Sequence, residues 1–275
     1  MPELPEVEVT RRRIVPALVG RTVAAVETTA PSYVFLTPPR RLARRLTGRT
    51  VVGVDRLGKY LVARLDDGTR LLVHLGMTGA LSPASEMRPA ARSRSGRAGA
   101  PGAPDPHTHL RLRFRDGGPA VCFRDPRKFG KLALLEPGAA SPRLERLGPD
   151  ALTATGARLL EASRGRSVPI KSLLLDQSVL TGVGNIYADE ALFEAGISPK
   201  RPAGGLTPAD CRRLAAAVRA VLRRAIRRGA AYGERGDAFR VYGRADRPCV
   251  RCGRPLRRTV IGGRSSHSCP RCQAR

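Results

Sequence analysis

The chain has 275 residues, and its 50 Lys and Arg against 23 Asp and Glu give a formal net charge of +27. A positive charge of this size predicts a polyanionic partner such as a nucleic acid. No stretch is long and apolar enough to span a bilayer, and the start lacks the apolar run of a signal peptide, so we expect a cytoplasmic protein without a membrane partner. In that reducing compartment the six cysteines are candidates for metal or core positions rather than disulfides.

The first half of the chain has the pattern of a β protein. A short helical pattern runs from Glu6 to Leu18, and strand-type segments follow at residues 21–29, 50–58, 60–65, 70–76, 109–117, 120–125 and 131–136. Leu110, Leu112 and Phe114 alternate with arginines, which is typical of a half-buried antiparallel strand. These segments predict a sandwich or barrel. Residues 82–106 consist mostly of Ala, Pro, Gly and Ser, and we expect a disordered insertion there.

After about residue 145 the pattern becomes helical. Two predicted helices, 170–176 and 186–195, flank a loop that contains Gly182 and Gly184 and ends at Asn185, a natural helix cap. The backbone N–H groups at that helix start could hold a phosphate. A longer helix is predicted from Thr207, with a proline in its first turn and Gly229 after its end. Cys122 and Cys211 lie in apolar settings and are predicted core residues.

The C-terminal segment has four cysteines at metal-binding spacing. Two CxxC pairs separated by sixteen residues predict a zinc ribbon with one structural Zn²⁺ bound by Cys249, Cys252, Cys269 and Cys272. Four protein thiolates leave no coordination position for a catalytic water, so the metal is expected to hold shape. The hairpin between the pairs has Arg264 at a glycine-supported tip, a suitable phosphate ligand.

These features together resemble a known family. The segments MPELPEVE, LGKYL, HLGMTG, DPRKFGK and GVGNIYADEALFEAGI, followed by the CxxC pairs with GGR, look like the formamidopyrimidine-DNA glycosylase family from residue 2 to the end. The resemblance implies an α+β fold with three domains: an N-terminal two-layer β-sandwich (1–138), a helical domain with a helix–two-turns–helix motif (145–244) and a C-terminal β-hairpin zinc finger (245–275). It also implies a monomer that binds damaged double-stranded DNA in a cleft, in a bacterial cytoplasm and associated with the nucleoid through DNA.

The same resemblance assigns catalytic roles. Removal of Met1 would leave Pro2 with a secondary α-amine, and since α-amines have a pKa of about 8, part of it is unprotonated and nucleophilic at neutral pH. Glu3 matches the general acid/base that protonates the opening sugar ring, and Glu6 a supporting residue near the helix start. Lys59 matches the lysine that contacts phosphate and assists elimination, and Arg264 the arginine that grips the phosphates beside the lesion. Glu8 has no assigned role.

Further residues match DNA contacts of the family. An everted base leaves a gap in the duplex, and Met77, Arg127 and Phe129 match the triad that fills it. The remaining matched contacts are His109, Lys171, Asn185, Arg166, His74 and Tyr242.

The substrate class stays open between alternatives at this point. Residues 227–244 look about ten residues shorter than the family segment that closes over an everted 8-oxoguanine, so a preference for oxidised pyrimidines, as in the endonuclease VIII branch, is one alternative to oxidised and ring-opened purines. A non-catalytic relative that binds DNA damage is another, although it need not retain Pro2, Glu3, Lys59 and Arg264. A zinc-ribbon RNA binder would explain the charge but not the N-terminal motif.

Overall fold

The computed structural model describes residues 2–86, 105–230 and 239–273. The chain divides into two compact units, the first comprising Met1–Pro2 and Val7–Ser141 and the second Glu3–Glu6 and Pro142–Arg275. The second unit thus contains both the helical part and the C-terminal hairpin. The three-domain division of the sequence stays a prediction.

The first unit contains two antiparallel sheets. Its helices are α1 (Leu4–Leu18, whose first turn belongs to the second unit) and α2 (Pro39–Leu46). Its strands are β1 (Val23–Thr28), β2 (Val51–Leu57), β3 (Tyr60–Leu65), β4 (Arg70–His74), β5 (Ala80–Pro83), β6 (Thr108–Phe114), β7 (Val121–Arg124) and β8 (Lys131–Leu135). The strand orders are β1-β6-β7-β5 and β2-β3-β4-β8. The expected two-layer β-sandwich is therefore confirmed.

Alternation of side chains explains how these sheets bury their inner faces. Leu110, Leu112 and Phe114 of β6 lie in the apolar core, whereas Arg111 and Arg113 between them are exposed. The core also contains residues of α1 and α2. Because successive strand residues point to opposite faces, one sequence supplies both a core and a cationic surface.

The predicted insertion at 82–106 is ordered at both ends. Strand β5 continues to Pro83, and Ala84–Glu86 forms a single 3₁₀ turn. Asp105 at the other end accepts hydrogen bonds from the side chain of Arg124 and from the backbone N–H of His107. The expectation of disorder was wrong for these ends, and residues 87–104 lie outside the described part of the chain.

The second unit is built around one buried helix. Its elements are α3 (Pro142–Glu145), α4 (Gly156–Ser163), α5 (Ile170–Leu175), α6 (Asn185–Ala195), α7 (Pro208–Arg227), β9 (Arg257–Ile261) and β10 (Arg264–Ser268). Helix α6 is buried on nearly all sides and packs against α5, α7 and β10. The predicted start of α7 is confirmed, since Thr207 and Asp210 form a reciprocal capping box ahead of a solvent-exposed arginine face. Cys122 and Cys211 are both buried, as predicted.

Within residues 2–86, 105–230 and 239–273, no helix has the length and hydropathy needed to cross a membrane.

Candidate functional site

Glu3 lies at the N-terminal end of α6, although 181 residues separate it from Gly184 in the chain. Its Oε2 accepts hydrogen bonds from the backbone N–H groups of Gly184 (2.8 Å) and Tyr187 (3.3 Å), and its Oε1 from that of Ile186 (2.9 Å). The side chain is buried. Amide donors and the positive end of a helix dipole both favour the charged carboxylate. Glu3 is therefore held in one orientation by three backbone donors.

Two glycines make this approach possible. A Cβ on Gly184 would lie 2.5 Å from Oε1 of Glu3, and one on Gly182, whose φ is +103°, would lie 2.5 Å from Cδ1 of Leu4. Two sequence expectations were therefore wrong. Gly184 rather than Asn185 occupies the cap position, and the N–H groups at the helix start bind Glu3 instead of being open to a phosphate.

Glu6 belongs to the same cluster. Its Oε2 accepts the backbone N–H of Glu3 at 2.8 Å, and its Oε1 accepts the hydroxyl of Tyr187 at 2.6 Å. Burial raises the pKa of Glu6 from 4.5 to about 7, against the opposing effect of the Tyr187 hydrogen bond. Tyr187 was missed in the sequence because its position in an apolar helix indicates only a core residue.

Pro2 and Lys59 belong to the first unit. Pro2 is half-buried and directly precedes Glu3 in the chain. Lys59 is 8 % exposed and lies in the two-residue loop between β2 and β3, where Leu57 pairs with Tyr60. Gly58, the first residue of that loop, has a φ of +57°. Tight two-residue hairpins require such a positive φ at this position, and glycine adopts it readily.

Arg264 is exposed at the tip of the C-terminal hairpin, as predicted. Ile261 pairs with Arg264, which leaves Gly262 and Gly263 as a two-residue turn with φ of +56° and +73°. Two consecutive left-handed residues are the geometry of the tight hairpin turn that matches strand twist. The position of the Arg264 backbone is thus fixed by its turn.

Lys171 is fully buried and pairs with Asp189 of α6 at 2.7 Å, so its ammonium does not face a phosphate. It also donates to the backbone carbonyl of Ser265, directly after Arg264, at 2.7 Å. Asp189 accepts the Ser266 hydroxyl and the His267 backbone N–H at 2.9 and 2.8 Å. The predicted direct DNA contact of Lys171 does not fit this burial. Lys171 instead anchors the strand that carries Arg264.

The four cysteines of the two CxxC pairs converge. Their Sγ atoms all lie within 4.8 Å of one another. A tetrahedral Zn²⁺ with Zn–S bonds of about 2.3 Å requires S–S separations of about 3.8 Å, and the pairs Cys249–Cys272 and Cys252–Cys269 are 3.9 and 3.5 Å apart. Backbone N–H groups of Arg251 and Cys272 point at Sγ of Cys249 and Cys269. The donor set fits one structural zinc ion.

The predicted gap-filling residues are exposed on the first unit. Met77 and Phe129 have 43 % and 49 % of their surface exposed, which is unusual for large apolar side chains. The Arg127 guanidinium lies 4.8 Å from the centre of the Phe129 ring. Such exposure is suited to insertion into a stack of bases.

Asp125 connects the two loops that carry these residues. Its Oδ1 accepts the Thr78 hydroxyl (2.5 Å) and the Arg127 N–H (3.2 Å), and its Oδ2 the Gly130 N–H (2.6 Å). Asp125 is completely buried. It therefore holds the loop after Met77 and the loop of Arg127 in one arrangement, a role that sequence reasoning missed.

The structure places the two histidines of the 107–109 segment differently. His109 is buried, with Nε2 at 2.9 Å from the Asp125 carbonyl and Nδ1 at 3.2 Å from the Thr29 hydroxyl. With both ring nitrogens engaged, His109 offers no site for DNA, against the expectation. His107, two residues earlier, is half-buried.

His74 and Arg166 have partners within their own units. His74 is half-buried, accepts the Gly76 N–H at Nδ1 (3.1 Å) and lies against the ring of Tyr60, which follows Lys59. Arg166 is exposed, and its guanidinium lies 3.8 Å from the Asp176 carboxylate. Because the half-buried His74 and the exposed Arg166 both keep some access to solvent, their DNA contacts stay predictions.

Tyr242 is held by Glu190 in the middle of α6, and Asn185 is the first residue of that helix. Glu190 of α6 accepts the backbone N–H groups of Arg240, Val241 and Tyr242, and burial raises the pKa of its carboxyl above 4.5. Tyr242 is thereby fixed through its backbone. Asn185 Oδ1 has no hydrogen-bond partner among the described residues. Their DNA contacts also stay predictions.

A net charge of +27 and a four-cysteine hairpin with an exposed arginine at its tip suit a nucleic-acid partner. Family comparison agrees along the chain. Residues 1–132 match the formamidopyrimidine-DNA glycosylase N-terminal domain, residues 147–234 its H2TH domain, and residues 247–275 the zinc finger found in FPG and IleRS. The chain belongs to the formamidopyrimidine-DNA glycosylase family.

Similar proteins cover the whole chain. The formamidopyrimidine-DNA glycosylase of Geobacter metallireducens is 43 % identical over 283 residues, covering 99 % of this chain and 100 % of its own. That of Salinispora arenicola is 44 % identical over 294 residues, covering 100 % and 97 %. The Lactococcus lactis enzyme, solved with DNA containing an AP site, superposes with a TM-score of 0.86 at 32 % identity, covering 99 % and 100 %.

Proposed function

We propose that this protein is a bifunctional DNA glycosylase and abasic-site lyase of base excision repair that removes ring-opened and 8-oxo purines. The observation that carries the proposal is the buried Glu3 carboxylate, oriented by three backbone N–H groups, in the residue after Pro2. Relatives support the substrate class, because solved structures of similar proteins contain DNA with carbocyclic 8-oxo-G or FAPY-dG.

The first chemical step uses the α-amine of Pro2. The amine attacks C1′ of the damaged nucleotide, the N–C1′ bond forms, and the bond from C1′ to the base breaks with its electron pair leaving on the base. The Pro2 nitrogen, now an ammonium bonded to C1′, gives its proton to the Glu3 carboxylate. Glu3 then passes this proton to O4′ as the sugar ring opens. The product is an iminium ion between Pro2 and C1′. A carboxylate that starts charged, as the amide donors favour, is ready to accept that proton.

Strand cleavage follows by two eliminations. The iminium acidifies C2′, whose proton is lost as the C3′–O bond breaks, and loss of a C4′ proton then breaks the C5′–O bond. Both leaving groups are phosphates, so cations that bind phosphate assist them. Lys59 and Arg264 take these roles. Zn²⁺ bound by the four cysteines supplies no chemistry and keeps the hairpin of Arg264 folded.

Binding of the damaged duplex uses residues outside the reacting groups. Met77, Arg127 and Phe129 fill the gap left by the everted base, and their loops are held by Asp125. From the 107–109 segment, His107 rather than the buried His109 makes the DNA contact. The protein acts as a monomer in the bacterial cytoplasm, bound to the nucleoid through DNA. The short segment 227–244 includes residues 231–238, which lie outside the described part of the chain.

The test is borohydride trapping on duplexes that carry 8-oxoguanine, ring-opened guanine, an oxidised pyrimidine or an abasic site, after mass spectrometry has verified removal of Met1. We expect a covalent complex that Pro2→Gly greatly weakens and that Pro119→Gly, at an exposed proline of the first unit, retains. Stronger trapping on the purine lesions supports the proposed substrate class, and stronger trapping on the pyrimidine overturns it. No trapped complex even on the abasic duplex overturns the enzymatic proposal.

A further inference from the structure

Glu8 receives more cationic partners than a helix surface position requires. Its carboxylate accepts hydrogen bonds from Arg11 at both oxygens (3.0 Å each), from Arg12 Nε at 2.8 Å and from Arg56 Nε at 3.2 Å. Arg11 and Arg12 lie one turn further along α1, whereas Arg56 belongs to β2. Burial would raise the pKa of Glu8, but hydrogen bonds and charges of the three arginines outweigh it and lower the pKa to about 2. Glu8 is therefore ionised at every physiological pH.

Arg56 extends this contact to the hairpin loop of Lys59. While its Nε binds Glu8, its Nη1 donates to the backbone carbonyl of Gly58 at 3.2 Å. That carbonyl belongs to the peptide bond that joins Gly58 to Lys59. Since a peptide unit is planar, fixing its oxygen also fixes the amide nitrogen of Lys59. A planar guanidinium can hold two acceptors in a fixed relation, whereas a lysine ammonium is a single point.

The pair is almost excluded from solvent, with 10 % of the Arg56 side chain and 9 % of the Glu8 side chain exposed. Buried ion pairs cost desolvation, and apolar replacements are often as stable or more stable. Stability alone therefore gives little reason for this arrangement. A more specific reason for the pair is that it fixes the Gly58–Lys59 peptide bond in the loop that carries Lys59.

We propose that Glu8 and Arg56 are positioning residues for Lys59, which set the direction of the Lys59 side chain through the Gly58–Lys59 peptide. This inference rests on the proposed function, in which Lys59 binds phosphate during strand cleavage. Glu8 fixes Arg56, Arg56 fixes the peptide, and neither residue touches DNA. The chain thus uses the helix that begins at the Pro2–Glu3 end to place a second group of the reaction.

The test is a double-mutant cycle with Glu8→Gln, Arg56→Lys and Lys59→Ala, measured as single-turnover cleavage of a duplex with a preformed abasic site. Arg56→Lys keeps a charge beside Glu8 but cannot hold both acceptors, and we expect it to slow cleavage about 10- to 100-fold, as small misplacements of reacting groups do. The matched control is Glu136→Gln, whose carboxylate also accepts two arginines, Arg41 and Arg45, away from the β2–β3 loop. It should cleave at the wild-type rate.

Repeating each change in the Lys59→Ala variant distinguishes a positioning role from a merely structural one. If Arg56 acts through Lys59, adding Arg56→Lys or Glu8→Gln to Lys59→Ala slows cleavage by less than about 2-fold, because interacting residues are not additive. A full additional loss in the Lys59→Ala background overturns the proposal. So does wild-type cleavage by Arg56→Lys, which carries the test even if Glu8→Gln unfolds. Wild-type cleavage by Lys59→Ala itself would instead refute the proposed role of Lys59.

Discussion

Replacing Asp189 by Asn removes the charge that Lys171 faces in the core of the second unit. Both side chains are completely buried, and the ammonium lies 2.7 Å from Oδ1. Burial lowers the pKa of Lys171 below 10.5, while the Asp189 charge opposes that change. An asparagine keeps one oxygen for Lys171, but its NH₂ group would face the His267 N–H that Asp189 Oδ2 accepts at 2.8 Å. The variant therefore loses a charge pair and a strand anchor together.

The magnitude follows from these losses. Breaking a buried ion pair by removing one partner costs about 3–5 kcal/mol of unfolding free energy. For a cooperative unit of this size, each kcal/mol shifts Tm by about 2–4 °C, so Asp189→Asn should lower Tm by about 6–20 °C. The damage is centred on β10, since the His267 backbone N–H loses its acceptor, whereas the Ser266 hydroxyl can still donate to the remaining oxygen.

Urea unfolding and hydrogen exchange measure both effects. We expect a lower urea midpoint, faster amide exchange at residues 264–268 and slower cleavage of an abasic duplex, because Arg264 begins that strand. The control is Asp246→Asn, an exposed Asp→Asn change in the same unit. The reasoning is refuted if Asp189→Asn unfolds at the same urea concentration as the control and keeps β10 protected from exchange.

Three further changes have expected outcomes. Gly184→Ala puts a Cβ 2.5 Å from Oε1 of Glu3 and should reduce borohydride trapping at least about 100-fold. The control Gly205→Ala, with nothing within 4 Å of its Cβ, should leave trapping unchanged. Equal trapping by both variants would contradict the placement of Glu3. Burial raises the pKa of Glu6 from 4.5 to about 7, so between pH 4.5 and pH 7 the folded protein binds one proton more than the unfolded chain. The free energy of unfolding therefore falls by roughly 3 kcal/mol as the pH rises through this range. Glu6→Gln should thus gain stability relative to wild type from pH 5 to pH 8 in urea unfolding, and an unchanged difference would refute the shift. Removal of Zn²⁺ by a chelator should expose amides 257–268 to exchange and abolish strand cleavage, with recovery on adding Zn²⁺; retained cleavage in the metal-free protein would show that the hairpin folds without it.

Features with a local physical cause could be predicted from the sequence. Period-2 alternation predicts β6, because each residue's environment is set by its own strand. The capping box of α7 needs only Thr207 and Asp210, three residues apart. Cysteine spacing predicts the metal site because each CxxC pair converges within one turn. Helix α2 was missed because its buried positions, Pro39, Leu42 and Leu46, are separated by arginines that lower the apolar signal.

The parts of the site that failed prediction depend on distant partners. A helix start with free N–H groups predicts an anion, but nothing near Gly184 says that the anion is Glu3. Lysine and histidine in a basic chain suggest DNA contacts, yet Lys171 is buried because Asp189, eighteen positions later in the printed sequence, neutralises it. Sequence patterns locate charge, whereas burial decides whether that charge meets solvent or a partner.

Helix α6 holds three segments of the second unit that carry residues with proposed functions. Its first N–H groups hold Glu3, Asp189 holds the strand of Arg264, and the adjacent Glu190 holds the backbone of Tyr242. With a rise of 1.5 Å per residue, these anchors span only about 9 Å of helix. Burial of three carboxylates is costly unless each meets donors, and each does. Because the helix is packed on nearly all sides, it cannot tilt independently of its neighbours. Glu3, the strand of Arg264 and the segment of Tyr242 therefore keep their relative positions within this unit, which is the precision that their proposed roles in DNA cleavage would require.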